Sequence, residues 1–244
     1  MIDTKEKAYI LGYCLADGYI TDKSVEFGCA IEDREILDFI SKEFGAKVQI
    51  DTYFNKESRR FPRARISIGN PKIVKMFNKY CGQKEEKTFP RIKKELQRYM
   101  LLGFFDGDGC LTFGHRKDRD RIWQKVNFTG SYKLLYSIQK SLEKANITSS
   151  LRPKQNENCF VIELSSKDAV LKVLKYIYGK EDLIVLHRKY KKYVALRLEL
   201  GENEETTQMS TISCQAVSHE TEGVETIGEK MDSLNDRLER PSLN

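Results

Sequence analysis

Two stretches of this chain repeat one pattern and restrict how it can fold. Tyr9 to Gly18 reads YILGYCLADG, and Met100 to Gly109 reads MLLGFFDGDG. Laid over each other they share L-G-x-x-x-x-D-G, so that Gly12 falls on Gly103 and Asp17 on Asp108, an offset of 91 residues. Each reads as a helix that is apolar on nearly all sides, which must be buried on nearly all sides. Gly12 with Ala16, and Gly103 with Gly107, set small residues one turn apart on one face. Two such faces let helix backbones approach closely. Each helix then delivers one carboxylate at its C-terminal end, beside the other.

That placement is unfavourable. A helix C-terminus carries partial negative charge, so an aspartate there costs a few tenths to about 1 kcal/mol, and two side by side repel. A bound cation reverses both penalties. A single Asp-Gly can be a plain helix stop with glycine as a left-handed cap. Two copies with matching glycines and matching apolar runs argue for a paired acidic site.

The 244 residues are 40% hydrophobic and 32% charged, enough for one large domain or two ordinary ones. No apolar run approaches a membrane span, and the opening MIDTKEK lacks a signal-peptide core. A soluble intracellular protein, in the cytoplasm or an organelle matrix, is expected. The six cysteines (14, 29, 81, 110, 159 and 214) form no CxxC and read as reduced core residues. His115, His187 and His219 are too scattered for a metal cluster. Net charge is uneven: residues 201–244 hold 3 basic and 10 acidic residues, leaving residues 1–200 with 39 against 26, or +13. A body this basic suggests a polyanionic partner.

Along the chain, Asp3-Thr4 caps a first helix to about Ala16, and Val25, Phe27, Cys29 and Ile31 alternate as a half-buried strand after the Asp22-Lys23 turn. Asp33 caps a helix that Gly45 ends; AKVQIDTYF and PRARISI form a hairpin; Asn70-Pro71 opens a third helix. After a linker, residues 82–93, the order repeats: the second motif helix, strands CLTFGH and RIWQKVNFTG, a helix capped by Ser131, strands SSLRP and CFVIELS, a helix from Lys167 to Tyr178, and a basic helix over Ile184–Leu200. The fold class is therefore α+β, with two pseudo-symmetric α-β-β-α-β-β-α subdomains packed through the two motif helices, and a pseudo-two-fold axis between them. The expected boundaries are 1–88, 89–200 and an acidic, disordered tail over 201–244, too poor in large apolar residues to order itself.

Within each half, one strand face is apolar and the other basic: Ala64, Ile66 and Ile68 oppose Arg63, Arg65 and Ser67. Arg59, Arg60, Arg63 and Arg65 in the first half, and Arg116, Arg119, Arg121, Lys125, Arg152 and Lys154 in the second, are the candidate DNA contacts. A two-stranded ribbon fits the DNA major groove, where Arg and Lys reach guanine edges or phosphates. Paired aspartates with a divalent metal on the axis suit phosphodiester hydrolysis, one aspartate per strand.

At these residues the sequence resembles a known family. ILGYCLADG and LLGFFDGDG resemble the motif of LAGLIDADG homing endonucleases in their double-motif, monomeric form, and the resemblance spans roughly residues 5 to 195. It implies saddle-shaped sheets gripping a long, nearly asymmetric double-stranded DNA site. It also implies Mg²⁺, with Mn²⁺ as a substitute, held by Asp17 and Asp108 and by the carbonyls of Ala16 and Gly107. EEKTFP and VLHRKYKKY resemble the family's linker and final segments, and the resemblance points to Lys87 and Lys189, the latter ahead of Arg188, as catalytic basic residues that orient water or stabilise charge. Asp106 is expected to pack the second motif; Leu15 stands in its place in the first. Two other readings share the fold: an intron maturase binding intron RNA, and a DNA-binding regulator. Both motif acids are present, which a degenerate regulator would not need.

Overall fold

A computed structural model describes residues 1–54, 60–81, 87–116, 121–154, 159–179 and 182–201, with the side chains of 53, 54, 60 and 61 left aside. The expected tail, residues 202–244, lies outside the described residues. Met1–Gly201 forms one compact unit.

The first half runs α1 (Lys5–Asp17), β1 (Tyr19–Ile20), β2 (Val25–Ala30), α2 (Glu35–Phe44), β3 (Val48–Phe54), β4 (Arg60–Ile68) and α3 (Pro71–Cys81). The second runs α4 (Gln97–Asp108), β5 (Gly109–Arg116), β6 (Arg121–Gly130), α5 (Tyr132–Lys144), β7 (Ser150–Pro153), β8 (Phe160–Leu164) and α6 (Lys167–Tyr178), and α7 (His187–Glu199) follows. Both sheets are antiparallel, in the orders β1-β2-β4-β3 and β5-β6-β8-β7. The repeat seen in the sequence is a repeat of topology.

Helix α1 begins where Thr4 accepts a hydrogen bond from the Lys7 amide, and every residue from Ala8 to Leu15 is buried. It crosses α4 at backbone contact. A Cβ on Gly12 would fall 1.8 Å from the Met100 carbonyl oxygen, and one on Gly103 would fall 1.9 Å from that of Tyr9. Met100 is Tyr9 shifted by 91 residues, so the two contacts are copies related by the pseudo-two-fold. Farther along, a Cβ on Gly107 would meet Ala16 Cβ at 2.4 Å. The small-residue faces are the seam.

Aromatic packing repeats as well: Tyr13 stacks on Phe27 with centroids 6.0 Å apart, and its counterpart Phe104 stacks on Phe128 at 6.3 Å. Each sheet buries one face under helices. In β4, Ala64, Ile66 and Ile68 are buried; in β6, Val126 and Phe128 are. The opposite faces are open.

Three local expectations are corrected. Asp33 does not cap α2; it ends a 3-10 turn, and its carboxylate accepts from Arg188 at the start of α7. Ser131 precedes α5 with no capping bond, its hydroxyl buried without a partner. Cys110 is exposed on the open face, whereas Cys14 and Cys81 are buried with sulfurs 3.6 Å apart. Asn70 does cap α3, its Oδ1 accepting from the Lys72 amide at 3.0 Å.

Candidate active site and nucleic-acid interface

The two motif helices end on Asp17 and Asp108, and each chain turns at once into a strand. The following glycines are not left-handed caps. Gly18 (φ −75°, ψ 137°) and Gly109 (φ −92°, ψ 155°) are extended. They are needed for room: a Cβ would lie 2.6 Å from the Cys14 carbonyl oxygen in one case and 2.5 Å from that of Phe105 in the other. Glycine thus lets the strand leave against the last helical turn and fixes each carboxylate at the seam.

Across the seam, Asp17 Oδ2 would be 3.0 Å from a Cβ on Gly107. The first carboxylate therefore lies against the turn that carries the second. Asp108 is half-buried. Its pKa rises to about 6, through burial first and the negative charge of Asp17 second, with Lys189 and Lys87 opposing. Asp17 is exposed, yet enough protein surrounds it that burial still raises its pKa, against Lys189 and Lys87. Two carboxylates destabilised by burial, the second also by the charge of the first, are a site that a cation relieves.

Two lysines cap these helix ends. Lys87 Nζ donates to the Leu15 carbonyl at 3.3 Å. Lys189 Nζ donates to the carbonyls of Phe105 (2.6 Å), Asp106 (2.8 Å) and Gly109 (2.6 Å). An ammonium has three protons, and here all three are engaged in protein. Lys189 is 6% exposed. The sequence reading makes Lys189 catalytic; in the fold its ammonium terminates α4 as a buried cation on the negative end of the helix. Burial lowers its pKa, and Asp106 works the other way. The carbonyls proposed to touch metal, Ala16 and Gly107, sit beside the ones these lysines occupy.

Asp106 is buried, accepts from Tyr9 Oη at 2.8 Å, and leaves Oδ1 without a partner. Burial lifts its pKa to about 7, opposed by Lys189 and the Tyr9 bond. It joins α4 to α1 and packs the seam.

The donor set suits a hard divalent ion. It is oxygen only, with few protein ligands, so water and phosphate would complete the shell, as is usual for Mg²⁺. Among the described residues no group of three or more His, Cys, Asp and Glu side chains is gathered for a metal.

A groove of about 330 Å³ runs from Asp17 along the open face of the first sheet, lined by Tyr19, Gln49, Arg63, Arg65 and Ser67 among others. On the second sheet the strand register sets Arg116 opposite Arg121 and Thr112 opposite Lys125. Arg63, Arg65, Arg116, Arg121, Lys125 and Arg152 all belong to these open faces, and Lys154 follows at the end of β7. Arg59 and Arg119 lie outside the described residues, as does the side chain of Arg60. Not all of these cations are unpaired. Glu163 accepts from Lys125 at 3.1 Å and from Arg152, and Asp51 lies 3.8 Å from Arg65. Sequence reasoning missed Glu163, although its alternation with Ile162 and Leu164 in β8 puts it on the basic face.

Residues 101–200 match the family model for LAGLIDADG endonuclease. No curated protein matches the chain. Solved structures do. The I-LtrWI LAGLIDADG homing endonuclease bound to target DNA shares 12% identity at a TM-score of 0.58, over 81% of this chain and 91% of that one. The meganuclease I-SmaMI bound to uncleaveable DNA shares 11% at 0.59, over 80% and 89%. The LAGLIDADG homing endonuclease I-GzeII in complex with its DNA target shares 10% at 0.56, over 82% and 92%. At such identities the likeness is one of fold. It covers both halves, and the second half also matches by sequence. With two motif helices crossing at paired glycines, the chain has the fold of the LAGLIDADG homing endonucleases, and its second half, residues 101–200, also carries the sequence match to the LAGLIDADG endonuclease family model.

Proposed function

We propose that this protein is a site-specific double-strand DNA endonuclease, dependent on Mg²⁺ with Mn²⁺ as a substitute, that acts as a monomer on a long, nearly asymmetric site. The carrying observation is the groove that joins Asp17 to the open strand face bearing Arg63 and Arg65, with Asp108 across the seam. The helices supply rigidity, the seam supplies proximity, and the open faces supply cations for phosphates.

When bound, a divalent ion neutralises the scissile phosphate and lowers the pKa of water. The chain's own residues do the rest. Asp17 and Asp108, with the carbonyls of Ala16 and Gly107, would hold the ion at the axis through their oxygens. Lys87, half-buried beside Leu15, keeps positive charge at the carboxylates and is the basic residue placed to meet phosphate. Lys189 is a positioning residue that fixes the end of α4. The subdomain boundaries follow as 1–88 and 89–200, one aspartate from each.

The test is a supercoiled plasmid carrying the native insertion locus, incubated with Mg²⁺. Wild type should linearise it and a chelator should stop the reaction. Asp17→Asn and Asp108→Asn should not linearise it. Full cleavage by both variants would sink the assignment.

A further inference from the structure

Among the cations on the open face of the second sheet stands one large, exposed apolar side chain. Trp123, the only tryptophan in the chain, is 41% exposed there. Strand alternation explains its direction: in β6, Val126 and Phe128 turn to the helices, so Arg121, Trp123 and Lys125 turn outward together. Its cross-strand partner on β5 is Gly114. A Cβ on Gly114 would lie 3.1 Å from indole Nε1 and 3.4 Å from Cε2 and Cζ2. The ring thus spreads over the glycine and lies on the sheet. It forms one wall of a cavity of about 390 Å³ whose other walls include Arg116, Arg121 and Lys125.

We propose that Trp123 is a specificity-determining residue that reads the C5-methyl group of a thymine in the major groove. This rests on the DNA reading above. An aromatic ring on single-stranded nucleic acid would stack on a base. In a duplex the base faces are covered, and only their edges line the groove. Among the groups shown there, the thymine methyl is the apolar one. A flat apolar surface held between the Arg116–Arg121 pair on one side and Lys125 on the other therefore finds a favourable partner at T and none at C. Trp123 lies two residues from Arg121, about 7 Å along the strand, which puts the methyl about two base-pair steps from the Arg116–Arg121 contact. A plainer role is also available to the ring, that of covering a glycine on a strand. The experiment separates the two.

Duplexes are selected from a randomised pool by wild-type protein in Ca²⁺, and again by Trp123→Ala. Wild type should return a thymine at one or two positions where the variant returns mixed bases, with the rest of the site unchanged. Replacing that thymine by deoxyuridine removes the methyl alone. It should weaken wild-type binding about fourfold, the transfer value of one buried carbon, and leave Trp123→Ala unmoved. Tryptophan emission, which here reports a single residue, should change on binding the thymine duplex and change less with deoxyuridine. Equal deoxyuridine effects on both proteins, or unaltered emission in a tight complex, would overturn the assignment while leaving DNA binding intact. Failure of wild type to select any duplex would overturn the DNA reading itself, and this proposal with it. A melting temperature lowered in Trp123→Ala without any change in selected sequence would assign the ring to glycine cover and overturn the proposal.

Discussion

At the scale of single residues, the ends of the motif helices decide the chemistry. Lys189 ties three carbonyls from two sides of Asp108, and a neutral side chain there takes this donor from all three, leaving the Phe105 carbonyl only its bond from the Gly109 amide. Lys189→Met should lower unfolding free energy by about 2–4 kcal/mol, the range for several buried acceptors that lose a donor, in chemical denaturation. Cleavage should fall with it, whereas Lys87→Met should reduce turnover with little loss of stability. Glu163 is the opposite case, an acid among groove-facing cations. Glu163→Gln releases Lys125 and Arg152 for phosphates. Non-specific duplex affinity should rise, and the slope of log K against log salt should steepen by about 1 to 2. An unchanged slope would mean that the bridge survives on DNA or that neither cation meets a phosphate.

At the scale of elements, the seam between α1 and α4 holds the account together. Neither Gly12 nor Gly103 can accept a methyl group without moving a backbone, because the obstructing atom is a main-chain carbonyl oxygen in both. Gly12→Ala and Gly103→Ala should each destabilise by at least 1–3 kcal/mol, the cost of overpacking, and should also displace the aspartates. A protein that melts normally with either substitution would contradict the close crossing. The far end of the seam is tied differently. Asp182 accepts from Arg98 at 2.7 Å and from Tyr99 Oη at 2.5 Å, and lies 3.6 Å from Lys5 Nζ, so it links the N-terminal ends of α1 and α4. Burial pushes its pKa up, but the bonds from Tyr99 and Arg98 outweigh it, and the carboxyl ends below its ordinary value. A depressed acid stabilises the fold above its unfolded pKa, near 3.9, and loses that contribution as pH falls through the folded pKa. Asp182→Asn should therefore flatten the acid limb of the stability profile below about pH 4. The partly exposed setting limits the effect to about 1 kcal/mol.

At the scale of the whole molecule, the duplication was legible because each half repeats the same periodicities and the same pair of glycines. The seam could be read because an all-apolar helix has to be covered by something, and the small residues said by what. Asp17 and Asp108 followed from their positions at the helix ends. What the sequence could not show depends on contacts remote along the chain. Lys189 sits in a basic run, HRKYKKY, where nothing local separates a solvated lysine from one buried under another helix. Asp33 looked like a helix cap because its partner, Arg188, lies 155 residues away. Glu163 was hidden by a count of cations alone. Trp123 and Gly114 meet only once the register of β5 and β6 is known.

The central claim is that one carboxylate from each half forms a single metal-dependent centre for both DNA strands. It is tested most directly by a duplex of the target site carrying a different label on each strand, cut by wild type and by each single variant in Mg²⁺. Wild type should cut both strands, and neither Asp17→Asn nor Asp108→Asn should give a double-strand break. Wild-type rates on both strands from either variant would contradict it.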